Sequence, residues 1–413
     1  MNVPWRRLLA FSALPIVSAI SPIVVLPALT RTVGPTGWSS IAIGQSIGMA
    51  VALLVNYGWG VAGPSLVARS GERGRGDIYR ISLIVRGIAA CVFVPIGFAV
   101  SETLDPATGP PGAGLMAIAM ALGGLAPTWY YIGIGRPSLI AAFDTLPRLA
   151  AAVIAIPALL LFPSVMTYPV CLILLCCASV LWSSISIVSR GQSLMDDLRA
   201  SLRFVRRQTL LVLSGLISSG YTSVSVSLVA GVNYPAVASF AAADRIRAMA
   251  KQGTMSVGNA LQGWVSEERD WLRARRRMML SISILGAVGV AAGAVVFLGL
   301  PVVDNLLFGP DIHVSQMTAL FCGASLVFTA LSISFSYHVL APLGKTNLIA
   351  VATTLGAAVG VPLILILAHS SGAAGAALAG ASAEAVVCVV EAVAVVRILR
   401  STLPLGPWRI THA

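Results

Sequence analysis

Asp244, Arg245, Arg247 and Lys251 lie within one otherwise apolar run, the densest group of charges that the chain places in such a setting. On a helical wheel of about 100° per residue they share one half of the circumference with Gln252, Ser256, Asn259 and Gln262. Ile246, Met249, Ala250, Gly253, Val257, Leu261 and Trp264 fall on the opposite half. A smaller group pairs Asp144 with Arg148, four residues on, a spacing that puts both on one helix face. Arg86 stands alone in a third apolar run, and Glu384 and Glu391 share a face in a late one. Arginine stays ionised at any working pH, and its planar fork of donors fits phosphate oxygens two at a time. A wet cleft edged by several such groups suits an anion better than an organic cation. Asp144 either neutralises Arg148 in an internal salt bridge or holds it in place for a ligand. Arg86 either does similar work or snorkels to the nearest aqueous interface. Glu384 is a candidate proton or cation site, and Glu391 is near enough to Arg397 for an interfacial role.

These side chains sit in an unusual matrix. Of 413 residues, 57% are hydrophobic and 10% charged, and mean hydropathy is +0.90. A soluble domain carries about 25% charged residues, so much of this surface must face lipid. Stretches of the roughly 20 apolar residues that cross a bilayer number about twelve, near 8–29, 39–63, 81–100, 113–134, 138–162, 168–188, 208–230, 236–264, 278–300, 316–338, 348–368 and 373–396. The spacers are short, which leaves no room for a soluble domain. The first stretch follows Arg6 and Arg7 but is long, holds Pro15, Pro22 and Pro27, and lacks a small-x-small cleavage site. It is therefore expected to be a bent first helix rather than a signal peptide.

Net charge is +12, and 21 of the 27 basic residues fall in alternate spacers or at the termini. The intervening spacers hold Glu102, Asp105, Asp304 and Asp311, with Arg31 as their one cation. The positive-inside rule then places both termini in the cytoplasm. The basic charge is topology, so nucleic acid is not an expected partner. Polar groups inside spans cost about 2.5–3.5 kcal/mol per charge on insertion scales and normally face a cavity or a partner. The run around Asp244 is accordingly read as lining an aqueous cleft, the alternative being a helix lying on the membrane surface.

Cys91, Cys171, Cys176, Cys177, Cys322 and Cys388 all fall in apolar spans, with no metal-ligand spacing and no loop pair for a disulfide. His313, His338, His369 and His412 are scattered. No catalytic residue, metal or cofactor is expected.

The chain also echoes itself. Gly135-Arg136-Pro137-Ser138-Leu139-Ile140-Ala141 parallels Gly344-Lys345-Thr346-Asn347-Leu348-Ile349-Ala350, and Thr145-Leu146 then aligns with Thr354-Leu355 without a gap. A weaker echo sets Ser40-Ile41-Ala42-Ile43-Gly44-Gln45 beside Ser239-Phe240-Ala241-Ala242-Ala243-Asp244, which brings in Gln45 as a supporting polar group. The expected architecture is an all-α polytopic membrane protein of two six-helix halves, 1–188 and 208–413, joined by a basic linker at 189–207. Parallel halves of this kind place the substrate near midplane in a central cavity.

Several stretches resemble one family. Leu26-Pro27-Ala28-Leu29-Thr30-Arg31-Thr32-Val33-Gly34-Pro35-Thr36-Gly37 is similar to the first turn of Wzx-like oligosaccharide flippases, which share the MOP superfamily with the multidrug and toxin extruders. Pro127-Thr128-Trp129-Tyr130-Tyr131-Ile132-Gly133-Ile134-Gly135-Arg136 resembles their aromatic signature, with Ile132 where glutamine is usual. Leu307-Phe308-Gly309-Pro310-Asp311 and Gly372-Ala373-Ala374-Gly375-Ala376-Ala377 look like later elements of the same family. The resemblance implies an exporter in a bacterial inner membrane that moves undecaprenyl-diphosphate-linked sugar units by alternating access. Its implied partners are membrane lipid, the anionic lipid-linked glycan, and a polysaccharide polymerase with other assembly proteins. On this reading Arg148, Arg245, Arg247, Lys251 and Arg86 face the anionic headgroup, and Asp144, Asp244, Gln45, Glu384 and Arg31 support them or couple ions. A multidrug extruder is the first alternative, but acids are missing from the first and seventh spans, where such proteins are expected to carry them. A peptidoglycan-precursor flippase needs two further helices, and a glycan polymerase or ligase needs a large outer loop.

Overall fold

The computed structural model describes residues 5–107, 109–188, 197, 199–205, 222–268 and 270–400, with side chains from Val24 onward except that of Arg73. Most of the expected seventh span, most of the basic linker and both chain ends lie outside these residues. The described chain is helical, with no strand among the described residues. In order the helices are α1 (Trp5–Asn56), α2 (Trp59–Arg69), α3 (Glu72–Leu104), α4 (Gly112–Ala121), α5 (Thr128–Gly133), α6 (Pro137–Ile140), α7 (Leu146–Leu161) and α8 (Thr167–Ile187). After the undescribed stretch come α9 (Ser225–Val232), α10 (Val237–Ser266), α11 (Trp271–Phe308), α12 (Gln316–Ser334) and α13 (Thr346–Arg400).

The two longest, of 52 and 55 residues, are each broken by a glycine. Gly34 interrupts α1 at φ 67°, and Gly372 interrupts α13 at φ 57°. Only a residue without Cβ takes such angles at little cost. Eight helical stretches among the described residues are long and apolar enough to cross a membrane, which makes this a multi-pass membrane protein. Helix α10 is not one of the eight, although its 30 residues exceed the length of a crossing. Its intrahelical charges lower its apolarity, so the expected count of twelve rests on this helix, on the two kinks and on the undescribed seventh span.

The chain gathers into two compact units, Met1–Gly231 with Leu307–Asp311, and Val232–Leu306 with Ile312–Ala413. In the first unit Gly44 and Gly48 bring α1 onto α4. A Cβ at either position would strike the backbone of Ala113 or Ala117. Small residues four apart allow this approach, which supplies van der Waals contact where no hydrophobic force acts between helices. The second unit packs α11 on α12 in the same way, with Gly293 and Gly323 facing each other's carbonyls.

Two of the segments with family resemblance, far apart in sequence, meet inside the first unit. Trp38 packs on Phe308 with ring centroids 5.5 Å apart. Thr30 Oγ1 donates to the Leu307 carbonyl at 3.3 Å.

The echoed segments form the same turn. Gly135 and Gly344 both take a left-handed φ, 68° and 70°. Each glycine N–H donates three residues back, to the Ile132 and Ala341 carbonyls, both at 3.0 Å. The next N–H, of Arg136 or Lys345, donates five residues back, to Tyr131 at 3.0 Å or Leu340 at 2.9 Å. This is the Schellman closure of a helix, with a basic residue just beyond the glycine in both copies. A Cβ on Gly344 would meet open space, so Gly344→Ala is expected to lower stability by the backbone cost alone, about 1–2 kcal/mol. Thermal unfolding in detergent measures this, and Gly344→Asn should lose less.

Candidate functional site

The first unit builds its charge site on an irregular helix. Asp144 sits on a π-helical turn, Ala141–Thr145, between α6 and α7. Such turns loosen the regular ladder and often mark functional sites. Ser179 Oγ, on α8, donates to the Phe143 carbonyl within it at 2.5 Å. Arg148 Nε donates to Asp144 Oδ1 at 3.0 Å, and Thr128 Oγ1 donates to Oδ2 at 3.1 Å. The carboxylate is thus fixed from two elements and orients the arginine. The pair is partly open, at 27% and 22% exposure. Among the described residues the two Nη groups of Arg148 make no hydrogen bond, so they remain free to donate.

Arg86 does different work. It is fully buried, so the snorkelling expected as one reading of the sequence does not occur. Nη1 donates to the carbonyls of Gly124 at 3.3 Å and Ala126 at 3.1 Å, and Nη2 donates to Ser82 Oγ at 3.1 Å. The 3₁₀ turn Leu122–Leu125 breaks the run between α4 and α5 and leaves carbonyls without helical partners. Arg86 satisfies them. Its guanidinium also stacks over Trp129 at 5.5 Å and Tyr79 at 5.8 Å. Around it Trp59, Phe204, Tyr130 and Tyr131 extend an aromatic cluster. Ile132, at the position where family resemblance expects glutamine, points outward at 44% exposure. Gln45 is half-buried without a hydrogen bond among the described residues, and Arg31 is exposed with its stem beside Gly309.

In the second unit α10 carries the larger cluster. Arg247 Nη2 and Nε both donate to Asp244 Oδ1, at 2.6 and 3.0 Å. One turn further, Lys251 Nζ lies 3.6 Å from Glu384 Oε1 on α13. Two bases and two acids therefore stand as two ion pairs one turn apart. The wheel drawn from sequence puts the polar residues on a single side, and the structure divides that side. Asp244, Arg247 and Lys251 share the sector of the buried Thr254, Gly258 and Val265, while Gln252 and Asn259 are exposed. Arg245, half-buried, leaves α10 on a flank about 200° from Arg247. Gly253 and Trp264, on the apolar half, are exposed, as residues that face lipid would be.

A buried polar chain was missed from sequence. Glu391 is 1% exposed, so the interfacial role expected beside Arg397 gives way to an interior one. Ser336 Oγ donates to its Oε1 at 2.6 Å. Ser336 lies on a second π-helical turn, Phe335–Leu340, with His338. His338 bridges the Gly258 carbonyl at 2.9 Å and Ser334 at 3.2 Å, and Ser334 meets Ser281 at 3.2 Å. The available signal was polar residues at alternate positions of an apolar span, Ser332, Ser334, Ser336 and His338.

The all-helical chain, with charged groups paired inside apolar helices, is a multi-pass membrane protein whose fold is shared with solved membrane transporters. The lipid II flippase MurJ in an inward closed conformation is similar in structure at TM-score 0.66, with 14% identity, over 93% of this chain and 87% of that one. An inward-facing multidrug resistance MATE family transporter of the MOP superfamily is similar at TM-score 0.56, with 17% identity, over 100% and 97%. A MATE protein in the bent conformation is similar at 0.54, with 16% identity, over 96% of each chain. No curated protein matches the chain in sequence. The chain belongs to the polysaccharide biosynthesis protein family, whose profile matches residues 5–267.

Proposed function

We propose that this protein flips undecaprenyl-diphosphate-linked oligosaccharide repeat units from the cytoplasmic to the outer leaflet of a bacterial inner membrane, for assembly of a cell-surface polysaccharide. The observation that carries the proposal is the group Asp244–Arg247–Lys251–Glu384 inside apolar helices. Asp244 and Glu384 hold the cations in place while no ligand is bound. A diphosphate brings several oxygens of higher charge density and can take over the donors that the carboxylates occupy. Exchange of this kind favours binding that reverses, as release at the far leaflet requires. Arg245 and Arg148 are the further proposed contacts, and Gln45 and Arg31 remain supporting positions. Arg86 takes a positioning role instead, because its donors are spent on backbone carbonyls.

In this reading six-helix halves at 1–188 and 208–413 alternate access, both termini are cytoplasmic, and the polymerase and assembly proteins act on the flipped product. The repeated glycine turns at Gly135 and Gly344 support an ancestral duplication. A multidrug extruder would need acidic groups free to bind an organic cation. Asp144, Asp244 and Glu384 are each engaged by a base, and Glu391, held by Ser336, is 1% exposed, which favours the anionic substrate.

The test is accumulation of undecaprenyl-linked oligosaccharide after deletion of the gene. Intact units trapped in the inner leaflet, and cleared by the wild-type gene, are expected. Absence of accumulation together with altered sensitivity to organic cations would replace the proposal with the extruder reading.

A further inference from the structure

A cationic cavity in the first unit lies apart from the Asp144–Arg148 pair. It has a volume of about 300 Å³ and is lined by Glu72, Arg75, Tyr130, Ile134 and Arg136. That is the small end of the range for ligand pockets, about 300–1,000 Å³, a size for a headgroup rather than a whole lipid-linked unit. Glu72 and Arg75 come from the first turn of α3, Tyr130 from α5, and Arg136 from the turn that leads into α6.

Two donors there, Arg75 and Tyr130, are held before any ligand arrives, and a third side chain, Arg136, hangs from a fixed backbone. Arg75 Nε is tied to the carbonyls of Val67 at 3.2 Å and Ser70 at 3.0 Å, at the end of α2. Its two Nη groups make no hydrogen bond among the described residues. Arg136 occupies the position after the left-handed Gly135, so its backbone is fixed while its side chain is exposed and unpaired among the described residues. The Tyr130 ring is wedged edge-on against Tyr79 at 5.4 Å and Tyr131 at 5.8 Å. Tyr130 lines the same cavity as Arg75, Arg136 and Glu72. Glu72 is the single acid of the lining and is exposed, which leaves a surplus of positive charge. Arg75 and Arg136 fall in spacers that the charge pattern of the sequence expects to be cytoplasmic.

We propose that this cavity binds a phosphoryl anion through Arg75, Arg136 and Tyr130, and that it receives the diphosphate headgroup before the headgroup moves into the membrane interior. The anion site stands on the geometry, and the naming of the headgroup as its source rests on the flippase reading above. Purified full-length protein is titrated with inorganic pyrophosphate, and separately, in nanodiscs of neutral lipid, with undecaprenyl diphosphate. Saturable binding of both is expected, weakened at least tenfold in Arg75→Gln/Arg136→Gln and several-fold in Tyr130→Phe. Arg75 also ties α2 to α3, so Arg136→Glu alone, at an exposed position, serves as the variant that leaves the fold untouched. Loss of pyrophosphate binding with lipid diphosphate binding unchanged would make the source a free phosphate and overturn the docking role. Equal binding of both probes by wild type and Arg136→Glu would overturn the site itself. These assays require no transport, so failure here is distinct from failure of the accumulation test.

Discussion

Replacing Arg245, Arg247 and Lys251 together by glutamine is expected to abolish rescue of the deletion strain, with intact lipid-linked units trapped in the inner leaflet. Each hydrogen bond to a charged group contributes about 1.5–3 kcal/mol, and about 1.4 kcal/mol is a tenfold change in an equilibrium. Loss of even one such contact to the diphosphate lowers affinity about tenfold, and loss of all three lowers it far more. The ion pairs make the single substitutions informative. Arg247→Gln removes both donors from Asp244 Oδ1 and leaves a partly buried carboxylate unmatched, so protein abundance should fall along with transport. Asp244→Asn/Arg247→Gln removes both charges and should restore abundance without restoring transport. Immunoblotting beside the lipid assay separates the two effects. Normal transport in the triple variant at wild-type abundance would end the proposed role of this cluster.

The second large effect is on stability. Arg86→Met is expected to destabilise the protein by about 3 kcal/mol or more, since it strips partners from the buried carbonyls of Gly124 and Ala126 and each unsatisfied group costs about 1–3 kcal/mol. The cation–π contacts to Trp129 and Tyr79 are lost as well. Arg86→Lys should recover little, because an ammonium cannot reach two carbonyls and a hydroxyl while lying flat against the rings. The readout is the unfolding midpoint in detergent, set beside transport per folded molecule. A positioning role predicts that the midpoint falls by several degrees while surviving protein still transports. Loss of transport with an unchanged midpoint would put Arg86 in contact with substrate.

The paired state of the intramembrane charges changes what they mean. Read singly, five bases in apolar spans suggest an open positive cavity. In the structure Arg148 leans on Asp144, Arg247 on Asp244 and Lys251 toward Glu384. Neutral groups of this kind are tolerable within a membrane, where isolated charges are not. They still offer donors to a better anion, because none of the three pairs is sealed from its surroundings. Exposure of the pairs thus bears on binding more directly than the count of bases does.

What the sequence determined by itself is the set of features that depend on neighbours along the chain. Apolar runs of bilayer length mark the helices, since each helix satisfies its own backbone. The Asp144–Arg148 pair follows from a spacing of four, and the turns at Gly135 and Gly344 follow from a glycine ahead of a basic residue. Tertiary structure alone decided the rest. Lys251 finds Glu384, Arg86 finds Gly124 and Ala126, and Thr30 finds Leu307 across separations that no local period encodes. The wheel of α10 showed a polar side but could not say which part of it packs inward. Glu391 looked interfacial because Arg397 is near in sequence, and it is buried because Ser336 comes to it from another element. The physical reason is common to these cases. Helices that are apolar all round carry little amphipathic signal to orient them, so which faces meet is set by small residues and polar partners brought together only when the helices pack.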